Sequence, residues 1–264
     1  MSGPFSLSGR RALVTGANSG IGRAVALGLA TYGADLILHH FGGGEGVAAL
    51  RDDIVAQGRD AAVVEADFTQ AGAAETMARD VRSGYGPVDI LVANAAIEQR
   101  APWTEVTAAH LESHIAANFA SLLTLTQALV PTMVERGWGR VVAMGSVMAT
   151  RPRAETVIYA ALKSAQLTAI RAIAREVAGR GVTMNVISPG AIETARNAER
   201  YADPDFRRAV VAKIPAGRAG RPEDIVGAAV LLCSDAGSYI TGADIPINGG
   251  WTIGDAPGAL PEAA

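Results

Sequence analysis

Short, strongly apolar runs alternate with longer segments of helical apolar spacing along most of the chain. The runs predicted to form strands are 11–15, 35–40, 62–66, 88–93, 140–144, 182–187 and 243–247. The segments predicted to form helices are 20–32, 45–57, 71–83, 108–136, 158–177 and 222–233. Strands and helices that alternate in this way form βαβ units, and several strand runs are apolar on both faces, as a buried parallel sheet requires. We therefore predict an α/β, doubly wound fold with a seven-stranded parallel sheet and helices on both faces.

The composition agrees with a globular chain of this kind. Of the 264 residues, 49% are hydrophobic and 19% are charged, which is typical of a folded chain rather than a disordered one. The net charge of −3 gives no reason to expect nucleic acid or an anionic membrane surface as a partner. No linker rich in proline, glycine or serine divides the sequence. We therefore expect a single domain over residues 1–264, with a C-terminal tail at about 252–264.

Nothing in the sequence directs the chain away from the cytoplasm, which is the expected location. No basic segment followed by an apolar one opens the chain, so no signal peptide is expected. No uninterrupted apolar run approaches the ~18 residues of a membrane span. Cys233 is the single cysteine, so a disulfide within the chain is excluded and a buried apolar role is expected for it.

A glycine-rich turn joins the first predicted strand to the first predicted helix. Residues 15–22 are Thr-Gly-Ala-Asn-Ser-Gly-Ile-Gly, with the spacing G-x-x-x-G-x-G. Glycines let a pyrophosphate lie against the backbone, and the helix N-terminus that follows attracts its charge. A structural loop would explain the glycines alone, but their place between strand and helix favours a Rossmann-type dinucleotide site. The residues of this turn predicted to bind the cofactor are Gly16, Asn18, Ser19, Gly20, Ile21 and Gly22.

The second and third predicted strands end beside the expected adenosine. His39, His40 and Phe41 stand about 20 residues after the turn, where an acidic residue would favour NAD. No acid is present and the turn is neutral, so the pattern admits NAD or NADP. The two histidines also suggest a metal ion, but no further ligand is near in sequence and we expect none. After the third strand, Asp67 with Phe68 would meet adenine, or Asp67 would cap the following helix.

A tyrosine and a lysine four residues apart form the candidate catalytic pair. Tyr159 and Lys163 would share one face of the predicted helix. A nearby cation lowers the pKa of a phenol from about 10 toward the working pH, which suits alcohol–carbonyl interconversion. Ser146 follows the fifth strand, at the sheet edge where ligands bind. Taken singly, these residues would also fit a surface pair and a turn or cap serine.

The sequence resembles the short-chain dehydrogenase/reductase family over residues 7–251. The resemblance implies that Tyr159 is the general acid/base and that Lys163 binds the nicotinamide ribose and lowers the tyrosine pKa. It also implies that Ser146 holds the substrate oxygen and that Asn118 keeps a proton-relay water. The segments that carry the resemblance are 15–22, Asp67, Asn94-Ala95-Ala96, Asn118, Ser146, 159–163, Pro189-Gly190 and 217–225.

The same resemblance implies an NAD(P) cofactor and places further residues around it. Ile192 and Thr194 would lie near the nicotinamide amide. The chain departs from the family in one motif, because Ala96 stands where the segment Asn-Asn-Ala-Gly usually ends in glycine. Its methyl group must fit in that space. The residues expected to border the cofactor on this side are Asn94, Pro189, Gly190, Ile192 and Thr194.

The expected substrate loop, at about 190–218, resembles that of the glucose 1-dehydrogenase branch, as does Glu98. This resemblance implies a sugar substrate, an aldose oxidised at its anomeric carbon to a lactone while Tyr159 takes the hydroxyl proton. Arginine forks suit carboxylate, sulfonate or phosphate, so the sugar would carry an anionic group, unless the arginines are solvated surface residues. The arginines expected at the pocket mouth are Arg100, Arg151, Arg153 and Arg196.

Two other functions remain open at this stage. A 3-oxoacyl carrier-protein reductase shares the scaffold, but the helical segment 108–136 shows no strong basic cluster for an acidic carrier. A catalytically inactive nucleotide-binding protein would be expected to lack one of Ser146, Tyr159 and Lys163, and all three are present. The family resemblance also implies a homotetramer.

Overall fold

The computed structural model describes residues 3–253. Its strands form one seven-stranded sheet in which each neighbouring pair is parallel. The sheet order is β3-β2-β1-β4-β5-β6-β7, so the winding reverses between β1 and β4. The strands are β1 (Arg11–Val14), β2 (Asp35–His40), β3 (Ala61–Glu65), β4 (Ile90–Ala93), β5 (Gly139–Met144), β6 (Val182–Pro189) and β7 (Asp244–Ile247). The predicted α/β, doubly wound fold is confirmed.

The bounds of the seven strands and of five predicted helices agree with the sequence pattern to within two residues, whereas the predicted helix 108–136 is divided and two short helices, Ala198–Ala202 and Pro204–Val211, were not predicted. The α-helices are α1 (Gly20–Thr31), α2 (Gly44–Ala56), α3 (Ala73–Tyr85), α4 (Ala108–His114), α5 (Ser121–Glu135), α6 (Val157–Val177), α7 (Ala198–Ala202), α8 (Pro204–Val211) and α9 (Glu223–Cys233).

Both faces of the sheet are covered by apolar side chains. In β1, Val14 points into a core shared with α1, α2 and α9, while its neighbour Leu13 points into a core shared with α3, α5 and α6. Successive residues of a strand face opposite sides, so a strand buried on both sides must be apolar at every position. This is why the strand runs are continuous rather than alternating.

The predicted long helix at 108–136 is interrupted, which is a correction to the sequence pattern. A π-helical segment, Ile115–Ala120, separates α4 from α5. The N–H of Ser121 bonds the carbonyl of Ala116, five residues back, and its hydroxyl donates to the carbonyl of Ala117 at 2.7 Å. By length and composition alone the span Ala108–Glu135 could cross a membrane, but its inner face packs into the core of the sheet.

The predicted substrate loop folds over the carboxyl edge of the sheet. Its helices α7 and α8 pack through Tyr201 and Val210 against Val147 and Trp251, which forms a third, smaller apolar cluster. The predicted single domain and the role of the substrate loop stay predictions. Most of the predicted tail, residues 254–264, lies outside the described residues.

The turn between β1 and α1 requires glycine at Gly22 because two backbones approach closely there. A Cβ built on Gly22 would lie 2.1 Å from the carbonyl oxygen of Gly16 and 2.6 Å from Nδ2 of Asn94. The first atom belongs to the backbone and the second is held by hydrogen bonds to the Thr15 and Gly16 carbonyls, so the turn itself would have to move.

We therefore expect Gly22→Ala to lower the free energy of unfolding by about 1–3 kcal/mol, the usual cost of overpacking. Gly84→Ala is the matched control, since Gly84 lies in α3 with nothing within 4 Å of its added Cβ. That change should stabilise the protein by about 0.5–1 kcal/mol through helix propensity. Urea unfolding of both variants measures the difference, and equal effects would contradict the close approach.

Candidate active site

A cavity of about 530 Å³ opens where β1, β4, β5 and β6 end, at the reversal of the winding. The predicted cofactor residues that line it are Gly16, Asn18, Ser19, Gly20, Ile21, Asn94, Tyr159, Lys163, Pro189, Gly190, Ile192 and Thr194. The predicted substrate residues that line it are Glu98, Arg100, Ser146, Arg153 and Arg196. The predicted residues outside its lining are Gly22, His39, His40, Phe41, Asp67, Phe68, Asn118 and Arg151.

Hydrogen bonds from neighbouring strands hold the glycine-rich turn. Gly16 and Gly20 have φ values of +65° and +54°, in the left-handed region that favours glycine. Asn94, at the end of β4, donates from Nδ2 to the carbonyls of Thr15 at 3.0 Å and Gly16 at 3.1 Å. Asn94 therefore shapes the turn as well as lining the cavity.

His39 supports the same turn from behind. Its Nδ1 accepts the N–H of Gly16 at 3.2 Å, so its Nε2 must carry the proton that is donated to the Ala66 carbonyl at 3.0 Å. The ring stacks on Phe68 with centroids 4.2 Å apart. Burial lowers the pKa of His39 to about 4, a drop to which the nearby His40 adds and which the bond to Ala66 partly opposes. His39 and Phe68 thus support the turn from behind, outside the cavity lining, and their predicted contacts with the cofactor stay predictions.

The other residues predicted near the adenosine lie around this support. His40 is buried and its Nδ1 donates to the carbonyl of Gly42 at 3.0 Å, whereas Phe41 is 61% exposed. Asp67 accepts the N–H and the hydroxyl of Thr69 at 3.0 and 2.7 Å. The N-cap of α3 is Gly72, so the alternative of Asp67 as a helix cap is wrong. A contact between Asp67 and adenine stays a prediction.

The three predicted catalytic side chains meet at the end of β5. Tyr159 and Lys163 share one face of α6, with the lysine Nζ 5.3 Å from the centre of the tyrosine ring. Ser146 follows β5, accepts the N–H of Met148 at 3.1 Å and forms a hydrogen bond with Tyr159. A carbonyl or hydroxyl oxygen of a substrate can reach both hydroxyl groups from the cavity.

The pKa of Tyr159 moves opposite to the sequence-based expectation. Burial, followed by the charge of Glu98, raises the pKa of Tyr159 to about 12, while Ser146 and Arg196 oppose the rise. Burial also lowers the pKa of Lys163 to about 7, against the charge of Glu98. A lysine whose pKa is about 7 is only partly protonated at neutral pH and so carries less than a full positive charge on average. The charges that act on the pKa of Tyr159 are those of Glu98 and Arg196, and a lowering of that pKa by Lys163 stays a prediction.

Asn118 lies in the π-helical segment, and its side chain is fully engaged. Its Oδ1 accepts the N–H of Ile97 at 2.8 Å and its Nδ2 donates to the Ile97 carbonyl at 2.9 Å. Its backbone carbonyl accepts a hydrogen bond from Gln166. Sequence analysis missed Gln166, although its spacing of three from Lys163 on a helix could have suggested it.

The arginines separate into two groups. Arg153 and Arg196 line the cavity, as does Arg100, which is paired with Glu98 at 2.9 Å. Arg151 lies outside the lining and donates to the carbonyl of Trp251 at 2.5 Å. The cavity gains an arginine that sequence analysis missed, Arg200, which lies in α7 four residues after Arg196.

The cavity fits a dinucleotide. Within residues 3–253, no group of three or more histidine, cysteine, aspartate or glutamate side chains could hold a metal ion. In the glycine-rich turn, a Cβ on Gly20 would lie 3.2 Å from Cγ2 of Thr194, so a side chain at this position would narrow the space between the turn and Thr194. The turn would hold the pyrophosphate and Lys163 the nicotinamide ribose.

The buried neutral state of His39 predicts a specific loss of stability in acid. An unfolded histidine takes up a proton below about pH 6.5, and folded His39 does so only near pH 4. The free energy of unfolding should therefore fall between pH 6.5 and 4, by roughly 3 kcal/mol at most from this group. His39→Gln should show a shallower fall over the same range in urea unfolding. Identical pH dependence in both proteins would contradict the assignment.

Comparisons with known proteins agree with this site. The family model described as Enoyl-(Acyl carrier protein) reductase matches residues 16–252. A 2-dehydro-3-deoxy-D-gluconate 5-dehydrogenase of Pseudoalteromonas atlantica is 35% identical over 94% of this chain and 97% of its own length. The crystal structure of a 3-oxoacyl (acyl-carrier-protein) reductase from Agrobacterium tumefaciens with NADP bound has a TM-score of 0.89 and 42% identity, and the match covers 93% of this chain and 95% of that one.

A second crystal structure has an equally similar fold and a lower sequence identity. The gluconate 5-dehydrogenase from Burkholderia cenocepacia, in complex with NADP and tartrate, has a TM-score of 0.88 and 30% identity, and the match covers 96% of this chain and 98% of that one. The glycine-rich turn, the Ser146, Tyr159 and Lys163 cluster and these matches lead to one conclusion: the chain belongs to the short-chain dehydrogenase/reductase family of NAD(P)-dependent oxidoreductases.

Proposed function

We propose that the protein interconverts a secondary alcohol and a ketone on a sugar acid, a polyhydroxylated carboxylate, with NAD(P) as cofactor. The observation that carries this proposal is Arg196. It lines the cavity, and its charge acts on Tyr159. Within residues 3–253 it has neither a hydrogen bond nor an ion pair. A guanidinium with free donors beside a catalytic phenol is suited to a carboxylate on the substrate.

The charge of the cavity supports an anionic substrate. Four arginines line it, Arg100, Arg153, Arg196 and Arg200, against one carboxylate, Glu98. This excess of positive charge stands in a chain whose net charge is −3. Such a local concentration attracts and orients anions more than a neutral sugar.

Aromatic side chains hold two of these arginines in place. The guanidinium of Arg200 lies 4.5 Å from the ring centre of Phe206, and that of Arg153 lies 6.0 Å from Trp251. Cation–π contacts of this kind restrain an arginine without occupying its N–H donors. The donors of Arg200 therefore stay available to a carboxylate, whereas Arg153 also lies 4.0 Å from Glu155.

The catalytic residues divide the proton chemistry. With a pKa of about 12, Tyr159 is protonated at neutral pH and can donate to a carbonyl oxygen that Ser146 also holds. In the reverse direction the tyrosine must first lose its proton before it can accept that of a substrate hydroxyl. Bound NAD(P) supplies or accepts the hydride. Lys163, near its own midpoint, changes charge readily close to Tyr159.

The relatives support a sugar acid but also name a second candidate. One relative is named for a 2-dehydro-3-deoxy-gluconate and one solved neighbour for gluconate, with tartrate bound. Another neighbour is named a 3-oxoacyl carrier-protein reductase and shares 42% of its residues with this chain, which favours ketoacyl reduction as the alternative. The expected oxidation of an aldose to a lactone stays a third possibility, which the same substrate panel tests.

The first test is a panel of initial rates with NAD and NADP against sugar acids, neutral aldoses and a β-ketoester, with Tyr159→Phe as the inactive control. We expect turnover of a sugar acid, lost in the control. Arg196→Ala and Arg200→Ala should each raise its KM roughly 10- to 100-fold, since a hydrogen bond to a charged group contributes about 1.5–3 kcal/mol.

The matched control is Arg208→Ala, because Arg208 lies on α8 of the same loop, pairs with Asp205 and is outside the cavity lining. Its KM should stay at the wild-type value. A KM for the sugar acid that is unchanged in both cavity variants, or turnover confined to the β-ketoester, would reject the proposal.

Glu98, after burial, is expected to raise the pH at which alcohol oxidation begins. Its charge raises the pKa of Tyr159, so Glu98→Gln should lower that pKa and move the rising limb of the oxidation profile to lower pH. Arg100→Gln removes the ion-pair partner of Glu98 and should move the rising limb of the oxidation profile to higher pH. Profiles of kcat/KM measure both, and shifts in the same direction would contradict the electrostatic account.

Two expectations from sequence stay predictions, namely a homotetramer and a cytoplasmic location. Sedimentation at micromolar concentration measures the first, and a monomer would contradict it.

A further inference from the structure

Gln166 is a buried amide directly behind the catalytic lysine. It lies one turn after Lys163 on α6, and both side chains are 2% exposed. The Nζ of Lys163 donates to Oε1 of Gln166 at 3.2 Å, and Nε2 of Gln166 donates to the backbone carbonyl of Asn118. The amide thus spans from the catalytic helix to the π-helical segment.

The orientation of this amide follows from its partners. A lysine amine has N–H donors and a backbone carbonyl only accepts, so Oε1 must face Lys163 and Nε2 must face Asn118. A buried amide left without partners would cost free energy, and Gln166 has one partner at each end. No function proposed above uses it.

The lysine amine has two acceptors, one on α6 and one at the end of β5. Its second partner is the carbonyl of Met144, at 2.5 Å, at the end of β5. With Met144 and Gln166 both taking N–H donors, the remaining position on Nζ faces the cavity that Lys163 lines. The two acceptors therefore fix the direction in which the amine meets a ribose or Tyr159.

We propose that Gln166 is a positioning residue that joins Lys163 to the Asn118 carbonyl directly, where the family resemblance implied a relay water at Asn118. A side-chain amide passes no proton in the way that water does, because its Oε1 would have to become an imidic acid. Proton exchange of the catalytic pair then occurs on the cavity side. This inference depends on family membership and Lys163, and is independent of the sugar-acid proposal.

The chain allows a direct test, because Lys163 and Lys213 are its two lysines. Protein labelled with ¹³C at the lysine Cε gives one signal from each, and exposed Lys213 serves as the internal reference. Gln166→Met keeps the length of the side chain but removes the acceptor, so the titration midpoint of Lys163 should fall below the wild-type value. Gln166→Glu keeps an acceptor and adds a negative charge, so the midpoint should rise.

Gln127→Met, an exposed glutamine on α5, is the matched control and should leave the midpoint unchanged. Thermal unfolding of each variant checks that it is folded. A purely structural role of Gln166 would lower the thermal stability of the variants without shifting the Lys163 midpoint in opposite directions. Midpoints that move in the same direction, or not at all, in Gln166→Met and Gln166→Glu would overturn the positioning role.

The absence of a relay water is tested by rates in mixtures of H₂O and D₂O with ethyl acetoacetate or gluconate, whichever the panel shows to react. Wild-type rates should vary linearly with the deuterium fraction, as for one moving proton. Gln166→Ser opens room for a water molecule and should make the dependence curved. A curved dependence in the wild type, unchanged in Gln166→Ser, would overturn the direct link.

Discussion

The hydrogen bond from the Lys163 amine to the carbonyl of Met144 connects the catalytic helix to the centre of the sheet. Met144 ends β5, which pairs with β4 on one side and β6 on the other. A buried amine is costly unless its donors are satisfied, so α6 is favoured where that carbonyl meets Nζ, with Gln166 of the same helix as the second acceptor. The position of Tyr159, one turn earlier on α6, follows from the same contact. Catalytic geometry therefore depends on strand register.

The cofactor side of the site depends on a different buried group. His39 is held neutral behind the glycine-rich turn and accepts the N–H of Gly16. Burial acts on both sides of the cavity in the same sense, since it disfavours the charged forms of His39, Tyr159 and Lys163 alike. The positive charge that remains comes from arginines, whose ordinary pKa is too high for such burial to neutralise them.

The sequence predicted the strands, the helices and most of the cavity lining, because these depend on local signals. A continuous apolar run indicates a strand that is buried on both faces. The glycine spacing of the turn at 15–22 is typical of a turn that binds a dinucleotide. The contacts that sequence analysis did not foresee join residues that are distant in sequence. His39 belongs behind the turn because Gly16 and Ala66 enclose it, and Gln166 has meaning only once Asn118 faces it across the π-helical segment. The interruption of 108–136 had no signal in the apolar periodicity.

The use of arginine for nearly all of the positive charge has a practical consequence for covalent chemistry. Within residues 3–253, side-chain amines are confined to Lys163, which is buried at the cavity, and Lys213, which is exposed in the predicted substrate loop just after α8. Amine-directed crosslinkers and resins would therefore attach to the described part of the protein mainly through that loop. Immobilisation by this route would restrain the segment that lines the cavity.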